Sequence, residues 1–329
     1  MIVKNTSPQS TLTDAIAQFI ANGRALGKRF RTEEEHLRLL ERFLLRLGMA
    51  NLQDVTTETI EAFLISRPRR SARSFNHLLG VVRRLFDWHV AQGAFDRSPV
   101  TIRPRREVAT RIPFLFDASH ARRLLDLAGT LADGPNAPLR GPTYRTIFAL
   151  LYGLGLRIGE VSRLCLGDTD MDRCVLVIRQ TKFSKTRLVP FGPRIAELLT
   201  GYLRLRPRGA GGTSPESPLF SFIKGQVVAP GSIRNTFHGL VKQLQLTIPV
   251  GTATPRVHDL RHSFAVGTLL RWYRTGAQPA ALLLRLSTFL GHVDPASTAV
   301  YLTITADLLS EASGRFETFA APAALRAEP

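Results

Sequence analysis

Cysteine is nearly absent: Cys165 and Cys174 are the only thiols in 329 residues. With no flanking metal-ligand pattern, the pair argues against a disulfide-stapled scaffold and fits two reduced, partly buried side chains of a cytoplasmic protein. Long apolar runs are missing as well. The richest stretch, Phe148 to Ile158, is short and interrupted by Gly153, Gly155 and Arg157, so no membrane span is expected. The first residues, MIVKNTSPQSTLTD, hold neither an apolar core nor a small-residue cleavage site, and secretion is not expected. Acidic residues are scarce: 26 Asp and Glu face 44 Lys and Arg, a net charge of +18.

That basic surplus is mostly arginine, whose planar fork matches phosphate oxygens. A chain this basic points to nucleic acid, because neutralising phosphates releases counterions and drives association. An anionic membrane surface or a ribosomal-type passenger is the alternative. The 44% hydrophobic fraction is that of a globular chain, and the length suffices for two domains, each with its own core. No internal repeat is present.

From about Leu12 to Gly93 the pattern is helical. RTEEEHLRLLERFLLRLG sets Leu37, Leu40, Phe43, Leu44 and Leu47 on one stripe. SARSFNHLLGVVRRLFDWHVAQG repeats the design, with Arg69, Arg70, Arg73, His77, Arg83 and Arg84 around an apolar face. These arginines read either as a solvated face or as phosphate contacts. RSPVTIRPRREVATRIP, with Arg103, Arg105 and Arg106, reads as a solvated, proline-broken linker that can lie along a DNA backbone. Beyond it, Asp117 and Ser119 are candidate N-caps of a second helical set.

The second module holds the only convincing strands. RCVLVIRQTKFSKTRLVPF reads as a hairpin with Lys182 and Lys185 near its tip, and RPRGAGGTSPESP as a loop. Helical patterns return over 232–246, 259–275, 279–290 and 296–313. Two motifs are decoys. GLGLRIGE lacks the glycine spacing and the acidic ribose partner of a dinucleotide loop. DTDMD, from Asp168 to Asp172, lacks the glycine and closing glutamate of a calcium loop, so turn and capping chemistry is expected there. No nucleotide or metal motif is evident, and no cofactor is expected.

The remaining basic residues gain meaning together. Arg157 in GLRIGEV, Lys182 before TRLVPF, HDLRHSFA, LGH, and a tyrosine nine residues after that histidine resemble, in order, the signatures of the tyrosine recombinase (phage integrase) family. The resemblance covers the second module from about Phe114 to Leu309, and in layout it extends to the helical first module. It implies a mainly α chain with a small β-sheet (α+β): a helical, SAM-like core-binding domain over 1–97, a basic linker over 98–113 and a tyrosine recombinase catalytic domain over 114–311. A tail over 312–329, carrying Phe316 and Phe319, either docks on a neighbouring protomer or is a frayed terminus.

The chemistry can be argued without the family name. A phosphodiester attacked by an oxygen nucleophile gathers negative charge on its non-bridging oxygens, and Arg157 and Arg261 can each present a fork of donors to them. Tyr301 supplies a phenol, which needs a proton acceptor near neutral pH. His258 is expected in that role, since imidazole titrates close to working pH. His292 is expected to bond the phosphate or position the site, and Glu160 to orient Arg157. The family resemblance makes Lys182, on the hairpin, the acid that protonates the leaving 5′ oxygen, with Lys185 its rival. His262 reads as scaffold, because it neighbours Arg261 and so points away from it on a helix. Arg256 reads as a DNA-backbone contact.

The resemblance implies a 3′-phosphotyrosyl intermediate, double-stranded DNA as substrate and strand exchange through a Holliday junction in a tetramer, independent of metal and ATP. Other recombinases of one mobile element are possible partners, and the location would be bacterial cytoplasm, at the nucleoid. A catalytically silent DNA-binding accessory protein and a type IB topoisomerase are the alternatives. One departure stands out: 34 positions separate His258 from His292, a longer gap than in the chromosome-dimer resolving members.

Overall fold

Apolar periodicity and capping residues set the elements of the chain. The computed structural model describes residues 11–106, 112–179, 186–206, 212–222, 225–277, 279–292, 294, 296–299 and 301. It falls into two compact units, Met1–Thr110 and Arg111–Pro329. The hairpin tip with Lys182 and Lys185, and the tail after Tyr301, lie outside the described residues.

The first unit is α1 (Leu12–Ala25), α2 (Arg31–Arg46), α3 (Thr57–Ile65) and α4 (Ala72–Ala91). Thr11, Thr56 and Ser71 cap α1, α3 and α4 by accepting from backbone N–H groups that the first turn leaves unpaired. Leu37, Leu40 and Leu44 of α2 are fully buried against Phe75, Leu78, Val82 and Phe86 of α4. Leu47, placed on the same stripe by its spacing, follows the last turn of α2 as its C-cap and is half exposed.

Of the solvated linker expected over 98–113, residues 98–106 are largely exposed and are also hydrogen-bonded to this unit. Thr57 donates to the Pro99 carbonyl, Arg83 to the Ile102 carbonyl, and Asn76 exchanges two hydrogen bonds with the Arg105 backbone. The Arg105 guanidinium sits 3.9 Å from the Phe75 ring centroid, a cation–π contact.

The second unit runs α5 (Ala118–Gly129), α6 (Arg140–Gly153), α7 (Ile158–Ser162), β1 (Thr169–Asp170), β2 (Val175–Ile178), β3 (Arg187–Pro190), α8 (Pro193–Leu205), α9 (Pro230–Leu244), α10 (Val257–Arg274), α11 (Pro279–Leu290) and α12 (Ala296–Ala299). Asp117, not Ser119, is the N-cap of α5, accepting from His120 N. The apolar run around Phe148 forms α6, a core helix buried on most of its surface, and no described helix is long and apolar enough to cross a membrane. Gly141 lets α6 cross α5 closely: a Cβ there would lie 2.4 Å from the Gly129 carbonyl oxygen.

The strands make an antiparallel sheet in the order β1-β2-β3, with Ile178 opposite Arg187 at the hairpin end. Asp168 accepts from Cys165 N and pairs with Arg179, while Asp170 accepts from Arg173 N, so DTDMD does the work of turn and ion pair. A second cluster of Val266, Leu269, Leu286 and Leu290 binds α10 to α11 and receives the Tyr301 ring.

Candidate active site

Helix α10 begins at Val257, two residues before the expected start at Asp259. Asp259 is its third residue and turns back to accept from Arg256 N at 2.9 Å, with Arg256 Nη2 at 3.3 Å. The carboxylate thus satisfies a donor that the helix start leaves unpaired. Arg256 is therefore engaged at its own helix start, although its side chain stays half exposed. Helix α7 is built alike: Glu160, at the third position, accepts from Arg157 N at 2.9 Å. One turn of helix in each case places an arginine and an acid side by side.

Glu160 is the hub. Its carboxylate accepts from Arg157 Nη1 at 2.7 Å and, as a fork, from Arg187 Nη1 and Nη2 at 2.9 Å each. Its side chain is 3% exposed and that of Arg187 10%. Burial works against the charged carboxylate, but the Arg187 and Arg157 guanidinium groups overcome it and hold the pKa at about 2.

The end of α11 organises the cations. Phe289 O accepts from Arg187 Nε at 2.9 Å, Leu290 O from Arg261 Nη2 at 2.6 Å, and Gly291 O from Arg157 Nη2 at 2.8 Å. Three consecutive carbonyls, left without intrahelical partners at a helix C-terminus, each hold one arginine at the negative end of the helix dipole. Gly291 is needed here: its φ is +68°, and a Cβ would lie 2.8 Å from the Arg187 guanidinium. Arg261 also donates to Gly155 O at 2.6 Å and is 1% exposed. Burial, then the Arg157 charge, lowers its pKa to about 10, so it remains cationic at neutral pH. Among the described residues, no carboxylate pairs with it.

The histidines and the tyrosine complete the cluster. His292 follows directly, its Nδ1 2.6 Å from Thr298 Oγ1 of α12. Its ring lies near-parallel to that of Tyr301, centroids 6.3 Å apart. Tyr301 is 3% exposed, and its hydroxyl is 3.1 Å from His262 Nδ1. The His262 ring packs edge-on to that of His258, centroids 4.6 Å apart. Burial raises the Tyr301 pKa, and the Arg261 and Arg157 charges oppose the rise. Burial followed by nearby cationic groups lowers His262 to about 3 and His292 to about 4, so both are neutral at working pH. His258 keeps solvent-exposed surface; partial burial of its ring and the charges of Arg261, Arg157 and Arg256 shift it in the same direction.

The structure therefore gathers Arg157, Glu160, Arg261, His292 and Tyr301, with His258 alongside. Two further residues join the cluster, against or beyond the expectation. His262, expected as scaffold from its place beside Arg261, stands four residues from His258, and that spacing puts both rings on one side of α10. Arg187 was read only as context for Lys182, yet it shares the inward face of β3 with buried Val189, and a charge on that face demands a partner.

The arginines singled out in the first unit divide by engagement. Arg70, Arg73, Arg103 and Arg106 are exposed, Arg84 lies 3.7 Å from Glu33, and Arg83 holds the Ile102 carbonyl. Arg69 lends its carbonyl to Arg105 while its Nε is buried without a partner.

Comparison with known proteins gives the site a context. The phage integrase family matches residues 118–307. The integrase/recombinase y4rB of Sinorhizobium fredii is 36% identical over 311 residues, covering 94% of this chain and 98% of that protein. Among solved structures, the Tn1549 transposon integrase in complex with transposon right end DNA is similar with a TM-score of 0.65 at 18% identity, covering 93% of this chain and 99% of that one. A lambda integrase tetramer bound to a Holliday junction gives 0.62 at 17% identity, covering 89% and 80%. At these identities the structural likeness speaks for the fold.

Proposed function

The chain belongs to the phage integrase family, the tyrosine recombinases, and from that premise we propose that it cuts and rejoins duplex DNA at a specific site through a covalent bond between Tyr301 and a 3′ phosphate. The carrying observation is that Tyr301 lies within the influence of Arg261 and Arg157, two of three arginines fixed on consecutive carbonyls of the α11 terminus. Arg157 and Arg261 would meet the non-bridging oxygens of the scissile phosphate, with charge arranged before the reaction rather than during it. Arg187 and Glu160 act one step removed, as the clamp that sets Arg157.

In the cleavage step the Tyr301 oxygen bonds to phosphorus as the bond to the 5′ oxygen breaks. The phenolic proton passes to a histidine of α10, and the leaving oxygen takes a proton from Lys182, with Lys185 the rival donor. His292 orients the phosphate. The phosphodiester's energy is retained in the phosphotyrosyl bond, so a 5′ hydroxyl from a second strand can reverse the step and exchange strands. Tyr301 sits among the arginines of its own chain, which supports attack within one protomer.

The first unit serves as a DNA-clamping module. Arg69, Arg70, Arg73, Arg83, Arg84, Arg103, Arg105 and Arg106, with Arg256 of the second unit, contact the phosphate backbone, and the net charge of +18 supports that role. Assembly into dimers and tetramers on DNA is supported by the likeness to the lambda integrase tetramer, and service to a mobile element by the likeness to a transposon integrase. The test uses nicked duplexes tiling the DNA that flanks the coding sequence. A covalent protein–DNA adduct lost in Tyr301→Phe, followed by recombinant joints between two marked duplexes, is the expected result. Binding with no adduct on any duplex would leave only a DNA-binding accessory role.

A further inference from the structure

His258 is the expected acceptor of the phenolic proton, yet the imidazole at hydrogen-bonding distance from the Tyr301 hydroxyl is that of His262, with the Arg261 guanidinium also acting on that hydroxyl. We infer that His262 is the residue that holds the Tyr301 hydroxyl and takes its proton when that oxygen attacks phosphorus. The inference rests on the recombinase reading above and assigns one proton within it.

Three observations carry it. The first is reach: His262 Nδ1 is 3.1 Å from the phenolic oxygen, within the range for direct proton transfer. The second is the far side of the ring: His262 Nε2 lies 4.0 Å from Asp259 Oδ1, so the tautomer protonated at Nε2 faces the carboxylate and leaves Nδ1 free to accept from the phenol. Asp259 is itself fixed by Arg256 and completely buried. The imidazole thus has the nucleophile near one ring nitrogen and a buried carboxylate nearer the other, the order in which an acid–base relay is arranged. The third is ring contact: the His262 ring packs edge-on against both the Tyr301 ring, centroids 5.4 Å apart, and the His258 ring.

The electrostatic setting adds a consequence. Without DNA, burial first, with the Arg256 and Arg261 cations adding to it, holds His262 at about 3, while Tyr301 lies above its usual value. Proton transfer between them is then strongly uphill, and the tyrosine stays unreactive. A phosphodiester seated between Arg157 and Arg261 brings negative charge into the cluster, which raises the imidazole pKa and offsets the cations that depress it. The substrate itself would switch on its nucleophile. In the step, the phenolic O–H breaks toward His262 Nδ1, the tyrosyl O–P bond forms and the P–O bond to the leaving strand breaks. Strand rejoining returns the proton from His262 to Tyr301.

The test compares wild type, His262→Asn, His262→Gln, His258→Asn and Tyr301→Phe on the tiled, nicked duplexes. Mobility shift reads binding, and therefore folding, while single-turnover adduct formation is followed across pH. The inference expects both His262 variants to bind DNA as wild type does and to form adduct on the order of 10²–10⁴-fold more slowly. Their loss should shrink as the medium becomes alkaline and hydroxide replaces the base, and His258→Asn should lose less than either. Adduct formation at the wild-type rate in either His262 variant overturns the inference alone. So does His258→Asn losing the pH dependence while the His262 variants keep it. Absence of adduct with wild-type protein overturns the recombinase reading, and this inference with it.

Discussion

Replacing Glu160 by glutamine perturbs the site without changing its volume. The carboxylate receives four hydrogen bonds, from Arg157 N, Arg157 Nη1, Arg187 Nη1 and Arg187 Nη2. An amide turns one acceptor into a donor facing donors and removes the only carboxylate that touches either guanidinium among the described residues. Two estimates of the cost agree. A carboxyl held at about 2 instead of 4.5 carries about 3 kcal/mol of charge-dependent stability. Removing one partner of a buried ion pair costs roughly 3–5 kcal/mol. With the Glu160 side chain 3% exposed, solvent screening takes little from either figure. At about 2–4 °C per kcal/mol for a unit of this size, the melting temperature should fall by roughly 10 °C near neutral pH. Because the folded pKa is depressed, this stabilisation is complete above 4.5 and is lost as pH falls through about 2. The gap between wild type and variant in scanning calorimetry should therefore close with acidification. A double variant with Arg187→Met should be less destabilised than the two single changes combined, since it leaves fewer uncompensated charges. A Glu160→Gln protein within about 2 °C of wild type near neutral pH would refute the hub reasoning. So would a gap of the same size in acid.

Arg261→Lys keeps the charge but cannot span Gly155 O and Leu290 O together; adduct formation should slow on the order of 10²–10³-fold at near-normal DNA binding, and a wild-type rate would count against the arginine's role. Gly155→Ala places a methyl 2.6 Å from the Phe264 ring at a φ of +59° and should cost about 1–3 kcal/mol in denaturant unfolding, whereas an unchanged midpoint would mean that the loop yields freely. His262 and His292 are held at about 3 and about 4 against an ordinary 6.5, so their neutral forms stabilise the fold above 6.5, and that contribution fades as pH falls through the lower values. Because DNA phosphate opposes the cations around them, binding in mildly acidic buffer should take up protons. Calorimetric binding enthalpies that do not depend on the buffer's ionisation heat would contradict this.

Much of this was legible in the residues. The hydrophobic period of 3.6 gave α2 and α4, and capping chemistry marked Asp117. The order of Arg157, His258, Arg261, His292 and Tyr301 was visible because each stands in a distinctive local context. What could not be read is how long-range closure assigns partners. That Phe289, Leu290 and Gly291 would each offer a carbonyl to a different arginine depends on α11 ending against β3, α10 and the start of α7, with the bonded residues 102, 29 and 134 positions apart in sequence. Residues 98–106 looked solvated because their charges dominate, yet their carbonyls and Val100 pack on the first unit. His262 shows how a choice of neighbour misleads: the chain neighbour points away, and the residue one turn earlier shares its side of the helix.

The central claim is that Tyr301 becomes covalently joined to DNA, and peptide mapping tests it most directly. Wild-type protein would be trapped on a nicked duplex from the flanking DNA, digested with protease and nuclease, and analysed by mass spectrometry. The account predicts a nucleotide-bearing peptide modified at Tyr301 through a 3′ phosphate, with a free 5′ hydroxyl on the released strand. Modification at any other residue, or a 5′-linked phosphate, would contradict it.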